Sequence, residues 1–476
     1  MSIKRSIAGN TAFQMGGKVV ATGLGLLTVG IMTRYLGTDG YGQFIIVLTF
    51  LQFFAIAAGF GLPLTMTRLI SREGADERRL VSNIFAMRLV SGLVIFAAAP
   101  LVALAFPYPH AVKIGIAVGT FSFLALALSE TIKGIMQKHL TTWKSSISEM
   151  TSRLIMFGCV AGAVASGFGL LAFVAALAVS NVVQFAMTYA FARKHGPIGL
   201  KFERPVWKKT LIETWPIGVS ILFNLIYLKG DIVIMSVMRT QSEVGLYGAA
   251  YKVLDVITVV PYIFMGLALP LLTRAWSNDD FAGFRRKLSM SFDFLAMIAV
   301  PLLFGGIAVS SDLMALIAGE DFRASGIYVA ILMVGALAVY WQSLYAHAFV
   351  AMGRQRDFIW IYAANAALSL ALYIVLIGRY GGLGAAAVTA LGELFVATAT
   401  TVLVTRMTKF RPNLVRLSKI MIACTAMFAV LILVPQLHVL LRVVLGAATY
   451  SVALLALGGV PMEAVRSVLA RPNDKN

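Results

Sequence analysis

The sequence QFIIVLTFLQFFAIAAGFGLPLT, residues 43–65, contains no charged side chain. A helix of roughly 20 apolar residues is long enough to cross the hydrocarbon core of a bilayer. The chain contains fourteen such stretches, with approximate limits 10–32, 43–65, 83–105, 112–132, 147–166, 169–192, 211–238, 245–270, 290–309, 325–350, 358–377, 382–404, 417–434 and 439–460. Membrane β-barrels are excluded, because their strands alternate in hydrophobicity. The sequence therefore predicts an all-α integral membrane protein with about 14 transmembrane helices.

The basic residues predict how these helices are oriented. Lys and Arg are concentrated in the cytoplasmic loops of membrane proteins. With the N-terminus in the cytoplasm, 29 of the 40 Lys and Arg residues fall in inner segments and 6 in outer loops. Every inner segment holds more basic residues than its outer neighbours, which predicts that both termini are cytoplasmic. A basic inner face also suits membrane lipids with anionic headgroups. Nucleic-acid binding is disfavoured, because the net charge of +19 follows the topology instead of forming one patch.

Two segments of the chain resemble each other. RYLGTDGYG spans residues 34–42 and RTQSEVGLYG spans residues 239–248, and each is followed by a helix that ends in Leu-Pro and an arginine. The spacing predicts two parallel six-helix repeats, related by an axis along the membrane normal, with a central cavity between them. The predicted divisions are an N-lobe at 1–205 (helices 1–6), a C-lobe at 206–410 (helices 7–12), and helices 13 and 14 with a short cytoplasmic tail at 411–476.

These motifs carry a family resemblance. Asn10, the RYLG segment, Tyr41-Gly42, Gly61-Leu62 and Arg68, with VGLYGAAYK at 244–252, resemble the polysaccharide (Wzx-type) flippases. Those proteins belong to the multidrug/oligosaccharidyl-lipid/polysaccharide (MOP) exporter superfamily. The resemblance implies a cavity lined largely by helices 1, 2, 7 and 8. The additional helix pair is similar to that of the fourteen-helix branch of the superfamily, which handles lipid-linked sugars.

The same resemblance implies a function. The expected transporter flips a polyprenyl-pyrophosphate-linked oligosaccharide repeat unit to the outer leaflet of the bacterial cytoplasmic (inner) membrane by alternating access. Its product would serve cell-surface or exopolysaccharide synthesis, and its partners would include the polysaccharide polymerase and chain-length machinery. No cofactor and no metal site are expected.

Five basic residues remain inside the predicted helices: Lys18, Arg88, Arg153, Lys229 and Lys252. A charge near the middle of a membrane helix is costly, so each requires a partner, a wet cavity or a route to the interface. Arg153 has Glu149 four residues earlier, which predicts a local pair. Arg88 lies near the cytoplasmic end of its helix and is expected to snorkel to the interface. Lys252 has Asp255 three residues later, which allows a second local pair.

The two other lysines have no such local explanation. Lys18 has no acid within four residues, and the nearby Asp231 points away from Lys229 at a spacing of two. Since Lys pairs well with phosphate oxygens, we expect Lys18, Lys229 and also Lys252 to contact the headgroup phosphates. The alternative is that Lys18 and Lys229 pair with acids on other helices. The matched arginines Arg34 and Arg239 are expected to act as anchors or as an outer gate.

Four acids also lie in the predicted helices: Asp231, Asp255, Asp293 and Glu393. They could couple transport to protons or sodium, or they could balance the charge of the lysines, and the second interpretation is favoured. The membrane potential alone could drive an anion outward. Gly and Pro residues, as in the segment 59–63 and at Pro261, indicate either bending points or close helix packing.

Two alternative functions remain. The first is a cation-coupled multidrug exporter of the same superfamily, in which the membrane acids would matter more than the lysines. The second is a membrane polysaccharide polymerase or ligase. Such an enzyme is disfavoured, because the longest outer loop has only about 15 residues and no nucleophile or metal motif is present.

Overall fold

The computed structural model describes residues 3–354 and 356–459, so the tail predicted after helix 14 lies outside the described residues. The described chain forms α-helices joined by short connections, and the predicted all-α class is confirmed. The helices are α1 Ile3–Gly59, α2 Leu62–Ile70, α3 Glu77–Leu104, α4 His110–Lys138, α5 Thr142–Ala165, α6 Leu170–Ala192, α7 Arg204–Met238, α8 Gln241–Ile257, α9 Val259–Ser277, α10 Phe281–Ala318, α11 Gly326–Ala351, α12 Arg356–Tyr380, α13 Gly382–Thr408, α14 Leu414–Leu433 and α15 Val439–Ala456.

Within the described residues, twelve helical segments are long and apolar enough to cross a membrane, so the chain is a multi-pass membrane protein. The first of these, Gly16–Ile70, includes most of the predicted stretch 10–32 and all of the stretch 43–65. Helix α7 covers the predicted stretch 211–238 in addition. The number of fourteen crossings remains a prediction.

The first two predicted helices are joined by a kink. The sequence predicts a loop at 34–42, but the backbone is helical on both sides of Gly37, which alone has a non-helical conformation (φ 65°, ψ −174°). Glycine reaches a positive φ without the clash that a Cβ would cause. The matched segment of the second repeat does interrupt the helix, because α7 ends at Met238 and α8 begins at Gln241.

The chain bends at two of the places where Gly and Pro predict it. Phe60 (φ 39°) and Gly61 (φ 86°) separate α2 from α1. Thr258 separates α8 from α9, three residues before Pro261. Proline has no amide hydrogen, so the carbonyl four residues earlier loses its helical partner. That carbonyl belongs to Ile257, and it accepts a hydrogen bond from the Tyr340 hydroxyl at 3.2 Å.

Helix α10 uses the same arrangement. Pro301 removes the amide partner of the Met297 carbonyl, which accepts a hydrogen bond from the Tyr450 hydroxyl of α15 at 2.9 Å. We expect Tyr340→Phe and Tyr450→Phe each to lower the free energy of unfolding by about 1–3 kcal/mol, because a partly buried carbonyl is left without its donor. Thermal unfolding of the purified protein measures this change. Tyr380→Phe is the control, since that side chain is exposed, and an equal loss in all three variants would contradict the expectation.

The packing divides the chain into two compact units. The first contains the described residues up to Ala249 together with Ile317–Phe322 and Ala366–Ala385. The second contains Ala250–Leu316, Arg323–Asn365 and the described residues from Ala386 onward. Helix α7 therefore groups by packing with α1–α6, whereas the predicted lobe boundaries at 205 and 410 follow the sequence repeat and remain predictions.

Helices α14 and α15 are fastened to α10 inside the second unit. Arg416 at the start of α14 donates to Asp293, and Arg442 at the start of α15 donates to Asp312. Arg442 also donates to the Ala308 carbonyl at 3.0 Å and the Leu431 carbonyl at 3.1 Å. The helix pair beyond the repeat is thus tied to α10 at both of its ends and, through Tyr450, near its middle.

Candidate functional site

Lys18 makes an ion pair with a neighbouring helix of the first unit. Its Nζ lies 3.4 Å from Glu149 Oε1 on α5, and 47% of its side chain is exposed. Helices α1 and α5 are close here, since a Cβ on Gly17 would lie 3.2 Å from the Met150 sulfur. Glu149, which the sequence assigns to Arg153, therefore binds Lys18. The half-exposed ammonium still has donor capacity for a ligand.

Arg88 is buried between helices of the protein. The prediction that it snorkels is wrong, because Arg88 is only 4% exposed. Its Nε donates to the Ala127 carbonyl of α4 at 3.3 Å, and a Cβ on Gly59 would lie 2.7 Å from its Nη1. Ser91, on the same helix, donates to the Ala58 carbonyl at 3.0 Å. Helix α3 thus holds the end of α1 just before the break that begins α2.

The other membrane lysines have different surroundings. Lys252 Nζ lies 3.2 Å from Asp255 Oδ2, so the predicted local pair is present. Lys229 is half-buried on α7. Its neighbour Asp231 is fully buried and accepts a hydrogen bond from the Tyr247 hydroxyl at 2.6 Å. Tyr247 belongs to the VGLYG motif, so one role of this motif is to supply a donor to a buried carboxylate.

The remaining membrane acids lie in the second unit. Asp293 is paired with Arg416, which gives this carboxylate a structural partner. Glu393 is 3% exposed, and its Cγ lies 3.7 Å from the Cβ position of Gly335 on α11. Within the described residues, no group of three His, Cys, Asp or Glu side chains is arranged to hold a metal ion.

The matched arginines both bind the ends of other helices in the first unit. Arg34 Nη1 donates to the Ile317 carbonyl at 2.8 Å, in the last turn of α10. Arg239 Nε donates to the Ile377 carbonyl at 2.9 Å, in the last turn of α12. Glu243 completes the second contact by accepting a hydrogen bond from the Gly382 amide at 2.7 Å, where α13 begins. These contacts support the interpretation of Arg34 and Arg239 as anchors.

The backbones of α1 and α8 are in direct contact beside these arginines, at the predicted outer end. A Cβ on Gly42 would overlap the Gln241 carbonyl, and a Cβ on Gly245 would overlap the Thr38 carbonyl. Side chains bond across the same contact, since Gln43 Nε2 lies 2.6 Å from Gln241 Oε1. The hydroxyl of Ser242 donates to that of Thr38 at 2.7 Å. The contact is therefore closely packed and hydrogen-bonded. We name it the α1–α8 seal, and its residues are Thr38, Gly42, Gln43, Gln241, Ser242 and Gly245.

Helices α2 and α7 meet at the opposite, predicted cytoplasmic end. Arg68 Nη2 lies 2.8 Å from Glu213 Oε2, and Arg72 donates to both carboxylate oxygens, at 3.1 Å and 2.8 Å. The backbones approach closely near the break before α2, because a Cβ on Gly61 would lie 2.9 Å from Ile217 Cγ2. We name Arg68, Arg72 and Glu213 the arginine latch.

The segment that leads into α7 is also held in place. Glu203 accepts hydrogen bonds from Arg79 Nε at 2.7 Å and from Asn83 Nδ2 at 3.1 Å. The Arg79 guanidinium and the Asn83 amide hold the pKa of the Glu203 carboxyl below its usual range. Both donors lie on α3, so these hydrogen bonds hold the start of α7 against α3.

The second unit contains an apolar cavity of about 460 Å³. Its walls are side chains of α8, α10, α11, α14 and α15, among them Ile257, Pro301, Met333, Leu431 and Val443. Such a lining is suited to a hydrocarbon chain, because burying apolar area is favourable and no charged group is present on the walls.

Sequence reasoning missed Glu213, Arg68 and Arg72 as a site. These residues fall in a basic inner segment and at the start of a predicted helix, where charge is expected for topological reasons. The pairing joins residues 141 and 145 positions apart, so no local spacing reveals it. The one indication in the sequence was that Gly61 and Arg68 belong to the ordered motifs that resemble the flippase family.

Comparison with known proteins agrees with this architecture. The model of the family of polysaccharide biosynthesis proteins matches residues 7–276. A Haloferax volcanii protein described as a "probable low-salt glycan biosynthesis flippase" is 24% identical over 78% of this chain and 78% of its own length. The succinoglycan biosynthesis transport protein ExoT of Rhizobium meliloti is 23% identical over 67% of this chain and 64% of its own.

Solved structures share the fold. The lipid II flippase MurJ in an inward closed conformation superposes with a TM-score of 0.77 at 13% identity, over 96% of this chain and 99% of that chain. An inward-facing multidrug resistance MATE transporter of the MOP superfamily gives a TM-score of 0.69 over 82% and 94%. The fold is thus that of the MOP transporters. The family model matches more than half of the sequence, so the chain belongs to the polysaccharide biosynthesis protein family, as its motifs predict.

Proposed function

We propose that this protein flips a polyprenyl-pyrophosphate-linked oligosaccharide from the inner to the outer leaflet of the bacterial cytoplasmic membrane. The observation that carries the proposal is the family match over residues 7–276, together with relatives that are named as glycan flippases and transporters. The protein is a transporter and not an enzyme. It works with both termini in the cytoplasm and delivers its product to the polymerase and chain-length machinery.

The headgroup phosphates bind the membrane lysines. Lys18 is best suited to this role. Its side chain is half-exposed, and its ammonium pairs with the Glu149 carboxylate at the long distance of 3.4 Å. An incoming phosphate can take over part of that coordination, since charge-assisted hydrogen bonds to phosphate are strong. Lys229 supplies a second ammonium, and Lys252 a third once it is released from Asp255.

The lipid chain occupies the apolar cavity of the second unit. Its volume of about 460 Å³ accommodates part of a polyprenyl chain, and α14 and α15 form one of its walls. The additional helix pair would then serve to form one wall of the lipid site. The ion pairs to Asp293 and Asp312 hold that wall against α10.

The membrane acids serve charge balance and structure. Asp255 and Asp293 have basic partners, and Asp231 is bound by Tyr247. The membrane potential drives export, because moving an anion outward from a negative interior releases about 2.3 kcal/mol per charge per 100 mV. A cation-coupled drug exporter would instead depend on these acids more than on the lysines.

We expect Lys18→Ala and Lys229→Ala to reduce surface polysaccharide, and the double variant to abolish it, because each removes a phosphate contact worth about 1.5–3 kcal/mol. The measurement is polysaccharide yield in a strain that depends on this chain, normalised to protein level. Glu149→Gln is the matched control. It frees Lys18 without removing the ammonium, so near-normal yield is expected. Normal yield in both single variants and the double variant would rule out the phosphate role.

A further inference from the structure

The arginine latch is a candidate for a second anion site. Its two guanidinium groups share one carboxylate, so the cluster carries a net positive charge. Glu213 is largely covered, with 18% of its side chain exposed, whereas about half of each arginine side chain is exposed. The covered carboxylate faces α2, and part of each guanidinium remains open to a ligand from outside.

The chemistry of the open donors favours phosphate. A guanidinium presents five N–H groups in a planar fork that matches carboxylate and phosphate oxygens in pairs. Arg72 donates hydrogen bonds to the Glu213 carboxylate from two of its nitrogens, and Arg68 donates from one. A diphosphate has more charge and more acceptor oxygens than a carboxylate, so it can bridge both arginines and compete with Glu213.

The latch is also the contact that joins α2 to α7 at this end. Helix α2 is only nine residues long, and the break at Phe60 and Gly61 separates it from α1. Beyond the latch, α2 touches α7 at the break itself, where a Cβ on Gly61 would lie 2.9 Å from Ile217. Exposed ion pairs contribute little to stability, so a ligand that outcompetes Glu213 can release the end of α2 while the break acts as the pivot.

We infer that Arg68 and Arg72 receive the diphosphate of the lipid-linked substrate at the inner leaflet, and that this displaces Glu213 and parts α2 from α7. The inference rests on the proposed function. It adds a loading site, distinct from Lys18 and Lys229, at which substrate arrival opens a contact between two helices. Glu213 holds the contact closed when no substrate is present.

Binding to the purified protein in nanodiscs tests the site, with undecaprenyl diphosphate as the probe. Arg68→Ala combined with Arg72→Ala is expected to weaken binding by about tenfold or more, since each removes a charge-assisted contact. Glu213→Gln is expected to strengthen binding by roughly threefold or more, because it removes the competing carboxylate. Arg78→Ala is the matched control, because it removes the same charge from a neighbouring exposed position, and unchanged binding is expected.

Spin labels at Leu64→Cys on α2 and Leu211→Cys on α7 report the movement, in a background with Cys159 and Cys424 replaced by serine. The probe is expected to lengthen the label distance, and the distance in the double arginine variant is expected not to respond. Equal binding by wild type and the double arginine variant would overturn the inference and leave the proposed function intact.

Two other anions test whether the site is selective for a polyprenyl diphosphate. Inorganic pyrophosphate and phosphatidylglycerol are tested at equal concentration, and a response to either that matches undecaprenyl diphosphate would overturn the assignment to the lipid-linked diphosphate. If wild type binds no polyprenyl diphosphate while it is folded and monodisperse, the proposed function fails together with the inference.

Discussion

Replacing Gly245 or Gly42 with valine is expected to lower transport by about 10- to 100-fold while the protein remains in the membrane. A Cβ on Gly245 would overlap the Thr38 carbonyl and lie 3.0 Å from the Gly42 amide nitrogen. Both neighbours are backbone atoms, which have no other rotamer to adopt. The α1–α8 seal therefore cannot close around a larger side chain. A transporter that works by alternating access needs each of its closed states to be accessible.

The chain offers a graded set of controls for the seal. At Gly248 a Cβ would meet the Ile45 side chain at 2.9 Å, and a side chain can shift, so Gly248→Ala should have a milder effect. At Gly158 no atom lies within 4 Å of the Cβ position, so Gly158→Val should leave transport unchanged. Surface polysaccharide at matched protein level is the readout. Normal yield from both Gly245→Val and Gly42→Val would show that closure does not depend on this seal.

The Arg442→Met variant is expected to lose about 1.5–3 kcal/mol of stability, because it removes the buried donor that the Asp312 carboxylate shares with the Ala308 and Leu431 carbonyls. Arg442 is 3% exposed and binds Asp312, the Ala308 carbonyl and the Leu431 carbonyl. Its loss detaches the start of α15 from α10, which opens the wall of the apolar cavity. Thermal unfolding of the purified protein measures the change, and polysaccharide yield should fall with it.

Arg323 provides a matched control, because it binds the same carboxylate. Its Nη1 lies 2.5 Å from Asp312 Oδ1, but 49% of its side chain is exposed. Solvent screens an exposed pair, so Arg323→Met should cost at most about 1 kcal/mol. Equal losses from the two variants would mean that burial of Arg442 does not set the strength of this cluster.

Interactions within one helix could be predicted from the sequence. Lys252 and Asp255 are three residues apart, and any α-helix places such residues on adjacent turns. The bend before Pro261 was predictable for the same reason, because a proline disrupts its own helix wherever that helix is packed. The Tyr340 hydroxyl that satisfies the freed carbonyl was not predictable, since it comes from a helix that lies 83 residues further along.

The spacing of residues along one helix did not predict which charged residues pair between helices. The i, i+4 rule assigns Glu149 to Arg153, yet the carboxylate binds Lys18, 131 residues away. Arg88 was expected at the interface because of its depth along the helix. Its helix instead turns that face toward α4 and the end of α1, where the guanidinium is buried.

Apolar run length, charge sorting and motif order thus determined the membrane class and the family by themselves, because each is a property of one segment and of its sequence. The tertiary structure alone decided which charges meet: Lys18 with Glu149, Arg442 with Asp312, and two arginines of α2 with Glu213 on α7. Hydrophobicity places a helix in the bilayer but leaves its rotation and its neighbours free. Packing of side chains sets both, and it therefore sets which carboxylate each buried or half-buried cation meets.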